Sequence, residues 1–242
     1  MDDIEASATK FTKKLTRDVI SQIPTDLKDS YEDIDEFFKV TERFGPSDAH
    51  HNHGPTRYLN EIAADPNPPE YPMLIEMYTF RVLFGHTYLT LSQIQEIKKF
   101  IGTDTVIEVG AGNGYVGHAL KLSGVDIVLT DVENDQNVYP ARFMIGKQTW
   151  TSVEHLNHIK AMKKYGCRDC LLLIWPPPDH MASQTIQLFE GNKLVYIGEG
   201  MQGDCANNEF FLWLSLEWKL EAVVELKHFI GSKDTIYLYT RC

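Results

Sequence analysis

The stretch Thr105-Val-Ile-Glu-Val-Gly-Ala-Gly-Asn-Gly-Tyr-Val-Gly117 constrains this chain more than any other. Thr105 to Val109 is β-branched apart from Glu108, and such residues favour a strand. Glycine then recurs at Gly110, Gly112 and Gly114, where it permits positive φ and a close approach of the backbone to a ligand. Tyr115 to Leu122 has apolar residues at helical spacing. Strand, glycine turn and helix N-terminus together form a nucleotide- or anion-binding corner, because free N–H groups and the helix dipole face the ligand.

Two cofactor classes use such a corner. A dinucleotide fingerprint requires Gly-x-Gly-x-x-Gly directly after the strand. Counted from Gly110, its third glycine falls on Tyr115; counted from Gly112 it is complete at Gly117, but the turn starts two residues late. The string Glu108-Val-Gly110-Ala-Gly112-Asn-Gly114 instead resembles motif I of the class I S-adenosylmethionine (SAM)-dependent methyltransferases, an acidic residue followed by three alternating glycines. That register agrees with the strand end. The resemblance implies that Gly110, Ala111, Gly112, Asn113 and Gly114 admit the aminoacyl end of SAM, and that Glu108 orders the turn and the ligand's ammonium.

The chain beyond the turn continues the alternation of strand and helix. Val125 to Thr130 is expected as the second strand, ending at Asp131 with Val132 beside it. A carboxylate about twenty residues past the glycine turn can accept both ribose hydroxyls, for NAD and SAM alike. Trp150 to Leu156 is expected as a third strand and His158 to Tyr165 as a helix. Asn157 between them is either a helix N-cap or, by the resemblance, the reader of the adenine amino group. Cys170-Leu-Leu-Leu-Ile174 is apolar throughout, as a central parallel strand covered on both faces should be.

That strand runs into Trp175-Pro-Pro-Pro-Asp-His180. In the resemblance this is motif IV, and Trp175, Pro176 and Pro177 line the methyl-transfer site. Enzymes that methylate amino groups often begin this motif with Asp or Asn; here Trp175 stands first, so the side-chain acceptor is missing. A carbonyl of Trp175 or Pro176 could replace it, and the indole could stack on a planar or cationic group. Asp179, His180 and, after the strand Lys193 to Ile197, Glu199 are candidate general bases or substrate contacts. Asn207 to Trp218 is helical. Glu221 to Phe229 and Asp234 to Tyr239 alternate with strand period and are joined by Gly231-Ser-Lys-Asp234, which reads as a tight antiparallel hairpin. A last strand inserted antiparallel is the characteristic departure of the class I methyltransferase sheet from a plain dinucleotide fold.

Ahead of motif I, residues 1 to about 45 are compatible with one or two helices, with Ile34, Phe37, Phe38, Val40 and Phe44 as apolar contacts. Residues 1–70 are expected to be a helical extension, a cap over the substrate, and 71–242 the SAM-binding domain. His50-His-Asn-His53 lies between turn signals and lacks a carboxylate or cysteine partner in sequence, so a loop is expected there and no metal site. Tyr71 to Leu89 reads as an aromatic core helix, in which Tyr71, Tyr78 or Arg81 could border cofactor or substrate. Thr90-Leu-Ser-Gln93 is a capping box for a helix that Gly102 ends.

The expected fold is therefore α/β: a seven-stranded, mostly parallel, doubly wound sheet with a C-terminal antiparallel hairpin, plus the N-terminal extension. A formal charge of −11 over 242 residues argues against a bulk grip on nucleic acid and against anionic membranes. Cys167-Arg-Asp-Cys170 lacks a second pair, so free thiols and a reducing, cytoplasmic setting are expected. The expected function is methyl transfer from SAM to a small molecule or protein side chain. The alternatives are a catalytically silent partner subunit with the same fold and an NAD(P)-dependent oxidoreductase.

Overall fold

Side chains of the central strands alternate between two apolar cores, and this sets the architecture. The computed structural model describes residues 2–25, 27, 31–50, 59–65, 67–132 and 149–242. Strands β1 (Val106–Val109), β2 (Ile127–Asp131), β3 (Glu154–His155), β4 (Cys170–Ile174), β5 (Lys193–Gly198), β6 (Trp218–Val224) and β7 (Thr235–Arg241) form one seven-stranded sheet, in the order β3-β2-β1-β4-β5-β7-β6. β1 to β5 are parallel, whereas β7 pairs antiparallel with both β5 and β6. Val106, Leu172 and Val195 point to one face, and Ile107, Leu171 and Leu194 to the other. With both faces covered, β4 is apolar throughout, and Glu108 is the exception on the neighbouring β1.

The first face packs against α1 (Asp2–Ser21), α2 (Ile34–Glu42), α3 (Leu59–Ala64), α4 (Tyr71–Leu83), α5 (Leu91–Ile101) and α6 (Tyr115–Leu122). The second packs against α7 (His158–Tyr165), α8 (Met181–Leu188) and α9 (Asn208–Glu217). The expected capping box is present: the Thr90 hydroxyl accepts from Gln93 N–H, Gln93 Oε1 accepts from Thr90 N–H, and Gly102 ends α5 at φ 69°. The N-terminal helices enter the same core as the sheet. Phe37 is fully buried, its ring 4.9 Å from His118, 5.2 Å from Trp150 and 5.8 Å from Tyr115.

Two local expectations change. The strand period read over Glu221 to Phe229 stops at Val224, so β6 and β7 are joined by residues 225–234 rather than by Gly231 to Asp234 alone, with a turn closed by Ser232 N–H donating to Phe229 O at 3.1 Å. Leu226, Phe229 and Ile230 turn into the core instead, with the Phe229 ring 5.1 Å from Phe80. The third strand is two residues long because Trp150 leaves the sheet edge: it is 3 % exposed and its indole N–H donates to Leu83 O. Of the histidine cluster, His51 to His53 lie outside the described residues, as does Asn134 to Asn137. His50 is buried and structural: Ile230 N–H donates to its Nδ1 at 2.8 Å, which leaves Nε2 to donate to Glu76 at 3.0 Å. Among the described residues no cluster of His, Cys, Asp or Glu suits a metal, and no helix is long and apolar enough to cross a membrane.

Candidate functional site

The carboxyl ends of the parallel strands gather the candidate residues at one edge of the sheet. Gly110, Gly112 and Gly114 have φ of 78°, 57° and 75°, conformations that a Cβ would strain. The turn is tied to β2 by Gly110 and Ala111 N–H, both donating to Thr130 O, and by Gly112 N–H, donating to Asp131 Oδ2 at 2.5 Å. Asp131 Oδ1 accepts from Val132 N–H at 2.7 Å. Asn113 buttresses the turn from behind, its Nδ2 donating to Leu83 O at 2.8 Å. Gly117 lies one helical turn on, where a Cβ would press into Glu108 Oε2 and the Leu129 side chain.

Glu108 sits beneath this turn, 2 % exposed, with Oε2 lacking a hydrogen-bond partner. Burial, followed by the neighbouring Asp131 charge, pushes its carboxyl up to about 8, against the opposing pull of Lys121 and Gly117 N–H. Lys121 is itself held below the ordinary lysine value, chiefly by burial, with Glu108 acting the other way.

A narrow cleft of about 60 Å³, partly open to solvent, runs from the glycine turn to the end of β4. Its lining includes Glu108, Gly110, Ala111, Gly112, Asn113, His86, Thr87 and Trp175. Trp175 has φ 45°, a left-handed conformation that is a genuine outlier for a bulky residue. Its N–H donates to Ile197 O at 2.8 Å, and its ring stacks on His86 at 5.1 Å with 18° between planes. The Arg81 guanidinium lies 5.8 Å from the same ring and 5.9 Å from that of Tyr78. Trp175 Nε1 is buried without a partner. Pro176 is buried and its carbonyl accepts from Ala206 N–H at 2.9 Å, whereas Pro177 is exposed.

Other residues singled out from the sequence fall in different surroundings. Val132 follows Asp131 at the rim, 53 % exposed. Asn157 is exposed and caps α7, its Oδ1 accepting from Lys160 N–H at 2.9 Å. His180 is exposed outside the cleft lining, with Nδ1 3.2 Å from Asn207 Nδ2 and 3.6 Å from the Glu209 carboxylate. Glu199 is buried, and both its oxygens are engaged: Oε1 accepts from Lys233 N–H and Oε2 from Asp204 N–H. It braces the loop after β5 against the segment leading into β7.

Sequence reasoning treated Asp234 only as a turn residue. It is 4 % exposed and joins the site from the start of β7. Ser232 donates to its Oδ1 at 2.6 Å, and His228 Nδ1 stands 3.4 Å away. Burial tends to raise its carboxyl, but His228, Ser232, Thr87 and Trp175 together hold it below the usual carboxylate value. The Thr87 hydroxyl and Trp175 indole N–H lie toward it without completing hydrogen bonds. Ser232 and His228 are close in sequence, but Thr87 and Trp175 come from the α4–α5 connection and the end of β4, so no local sequence signal places Asp234 at this corner.

The residues present fit SAM on two observations. Glu108 is among the residues lining the cleft and its buried Oε2 has no hydrogen-bond partner, so a ligand ammonium at the turn would find a carboxyl counter-charge beneath it. Asp131 Oδ2 faces the glycine turn, where it accepts from Gly112 N–H, and a carboxylate oxygen can accept more than one hydrogen bond.

No family model matches the chain, and no curated protein does. Among solved structures, a Streptococcus agalactiae protein of the NADB-Rossmann superfamily is similar at 14% identity, over 64% of this chain and 70% of that one, with a TM-score of 0.42. A Streptococcus pneumoniae protein described as a candidate tRNA (m1A22) methyltransferase, in complex with SAM, matches at 12% identity over 62% and 72%, with a TM-score of 0.43. TehB from Haemophilus influenzae matches at 15% identity over 69% and 67%, with a TM-score of 0.42. The strand order, with β7 antiparallel between β5 and β6, and the glycine turn and carboxylate at the ends of β1 and β2 identify the fold as that of the class I SAM-dependent methyltransferases.

Proposed function

We propose that this chain transfers the methyl group of SAM to a small molecule or a protein side chain. The observation that carries the reading is the pairing of Gly112 N–H with Asp131 across the β1 and β2 ends, above the buried acid Glu108. When bound, SAM supplies an activated methyl: the acceptor's lone pair forms the new bond as the carbon–sulfur pair moves onto sulfur and the acceptor's proton leaves. The chain's part is to align the acceptor and exclude water. In this reading Glu108 faces the ammonium, Asp131 the ribose hydroxyls, and Trp175 with Pro176 the methyl-transfer corner. Val132 covers one side of the adenine, Asn157 reads its amino group from the rim, and Tyr78 closes the far wall. His180 and Glu199 serve acceptors that reach beyond the cleft. Residues 1–70 support a substrate cap, with α2 built into the core through Phe37 and His50 holding the 225–234 segment.

Isothermal titration with SAM and S-adenosylhomocysteine tests this. Asp131→Ala should weaken both by roughly ten-fold or more, since a buried hydrogen-bonding pair is lost. Asp131→Asn keeps an oxygen for Gly112 N–H and separates loss of the ribose contact from collapse of the turn. Wild-type protein that binds neither ligand would sink the proposal. A second reading, a cofactor-binding subunit that transfers nothing, draws support from Pro176, whose carbonyl already accepts from Ala206. It predicts binding without turnover on any acceptor.

A further inference from the structure

Arg81, in the last turn of α4, has no anionic partner among the described residues. The chain carries a formal charge of −11, yet among the described residues no carboxylate pairs with this guanidinium. Arg81 makes no hydrogen bond there, and its Nε is buried with no acceptor. Its contacts are the Tyr78 and Trp175 rings, at 5.9 and 5.8 Å. Aromatic faces stabilise a guanidinium, but they leave its in-plane N–H donors unused. Those donors match a planar, two-oxygen anion better than a point charge.

We propose that Arg81 binds a carboxylate on the methyl acceptor, so that the substrate is a carboxylic acid. The inference rests on the methyltransferase reading, which places the acceptor at the Trp175 corner. Position argues for the acceptor's carboxylate over that of SAM. Arg81 packs on the Trp175 ring just past the end of β4 and is not among the residues that line the cleft at the glycine turn, so its contact with the site is through Trp175. Asp234, the buried acid beside Trp175, is committed to Ser232 and His228. It therefore forms its ion pair with His228 and, among the described residues, none with Arg81.

The test uses benzoate and its neutral isostere benzamide as probes on the full chain, with and without saturating S-adenosylhomocysteine. The Arg81 Nε–Hε resonance in arginine-labelled protein reports direct contact. Benzoate should shift that resonance and bind about ten-fold or more tighter than benzamide, as expected for a charge-assisted pair. Arg81→Gln should abolish the preference, Arg81→Lys should retain part of it, and both should bind S-adenosylhomocysteine within about two-fold of wild type, at an unchanged melting temperature. Equal binding of the two probes, no benzoate binding, or an unmoved resonance overturns the proposal. A ten-fold loss of S-adenosylhomocysteine affinity in Arg81→Gln also overturns it, because the carboxylate held would be the cofactor's. Failure of wild-type protein to bind S-adenosylhomocysteine would instead break the cofactor reading, and the benzoate preference measured without it would still decide the role of Arg81.

Discussion

The two ends of the cleft are built differently. At the glycine corner, Gly110, Ala111, Gly112, Gly114 and Tyr115 N–H all find acceptors within the turn or on β2, and Asn113 is bonded from both its amide and its carbonyl. At the tryptophan corner, Arg81 Nε, Thr87 Oγ1 and Trp175 Nε1 are buried without partners, and Trp175 holds a left-handed backbone. Buried polar groups are ordinarily matched, so a cluster of exceptions marks a place completed by something else. The first corner is a finished cradle whose shape is set before a ligand arrives. The second keeps donors in reserve, which is the property expected where the variable partner, the acceptor, docks.

The largest effect expected from breaking this contrast lies at the finished end. Gly117→Val would drive methyl groups into Glu108 and Leu129, two residues buried beneath the turn. Overpacking of this kind should cost roughly 3 kcal/mol or more in urea unfolding and abolish SAM binding. A variant with wild-type stability would show that the cradle is slack.

Next comes Glu108, the one unmatched atom of the glycine corner. Its carboxyl is raised in the folded chain to about 8 from the ordinary 4.5. The folded state therefore holds a proton that the unfolded state has lost between those values, and stability should fall as pH rises from 4.5 towards 8. The slope is at most about 1.4 kcal/mol per pH unit. Glu108→Gln should flatten the decline, so that its advantage over wild type is absent near pH 4.5 and grows to at most roughly 3 kcal/mol at pH 7. A constant difference between the two proteins at pH 5 and pH 8 would refute the assignment. If a SAM ammonium meets Glu108, binding at pH 7 should also release a proton, visible as a dependence of titration heat on buffer ionisation.

The smallest stability effect is expected at the other end. Trp175→Phe keeps a ring for His86 and removes the unmatched indole N–H, so unfolding free energy should change by less than about 1 kcal/mol. Acceptor turnover should nonetheless fall while S-adenosylhomocysteine affinity holds. Equal losses in both affinity and turnover would erase the distinction between the corners.

The difference also governs what could be read in advance. The glycine turn, the Thr90–Gln93 cap and the alternation of β7 are written in residues a few positions apart, and their physics is local. The tight join expected at Gly231 to Asp234 failed for the opposite reason. Leu226, Phe229 and Ile230 have core partners on α4 and around His50, and that burial outweighs the strand period. Glu199 and Asn157 were legible as candidates, but not the backbone N–H groups that occupy their oxygens.

The order of residues alone determined the α/β class, the glycine turn at the end of β1, the carboxylate at the end of β2 and the antiparallel final strand. Each follows from backbone preferences and side-chain periods that act over a few residues. Only the tertiary structure decided that Phe37 belongs to the central core, that Asp234 reaches the Trp175 corner, and that Arg81 meets no anion among the described residues. Those facts depend on which distant groups meet after packing, and a charge or a ring carries no mark in sequence of the partner it will find.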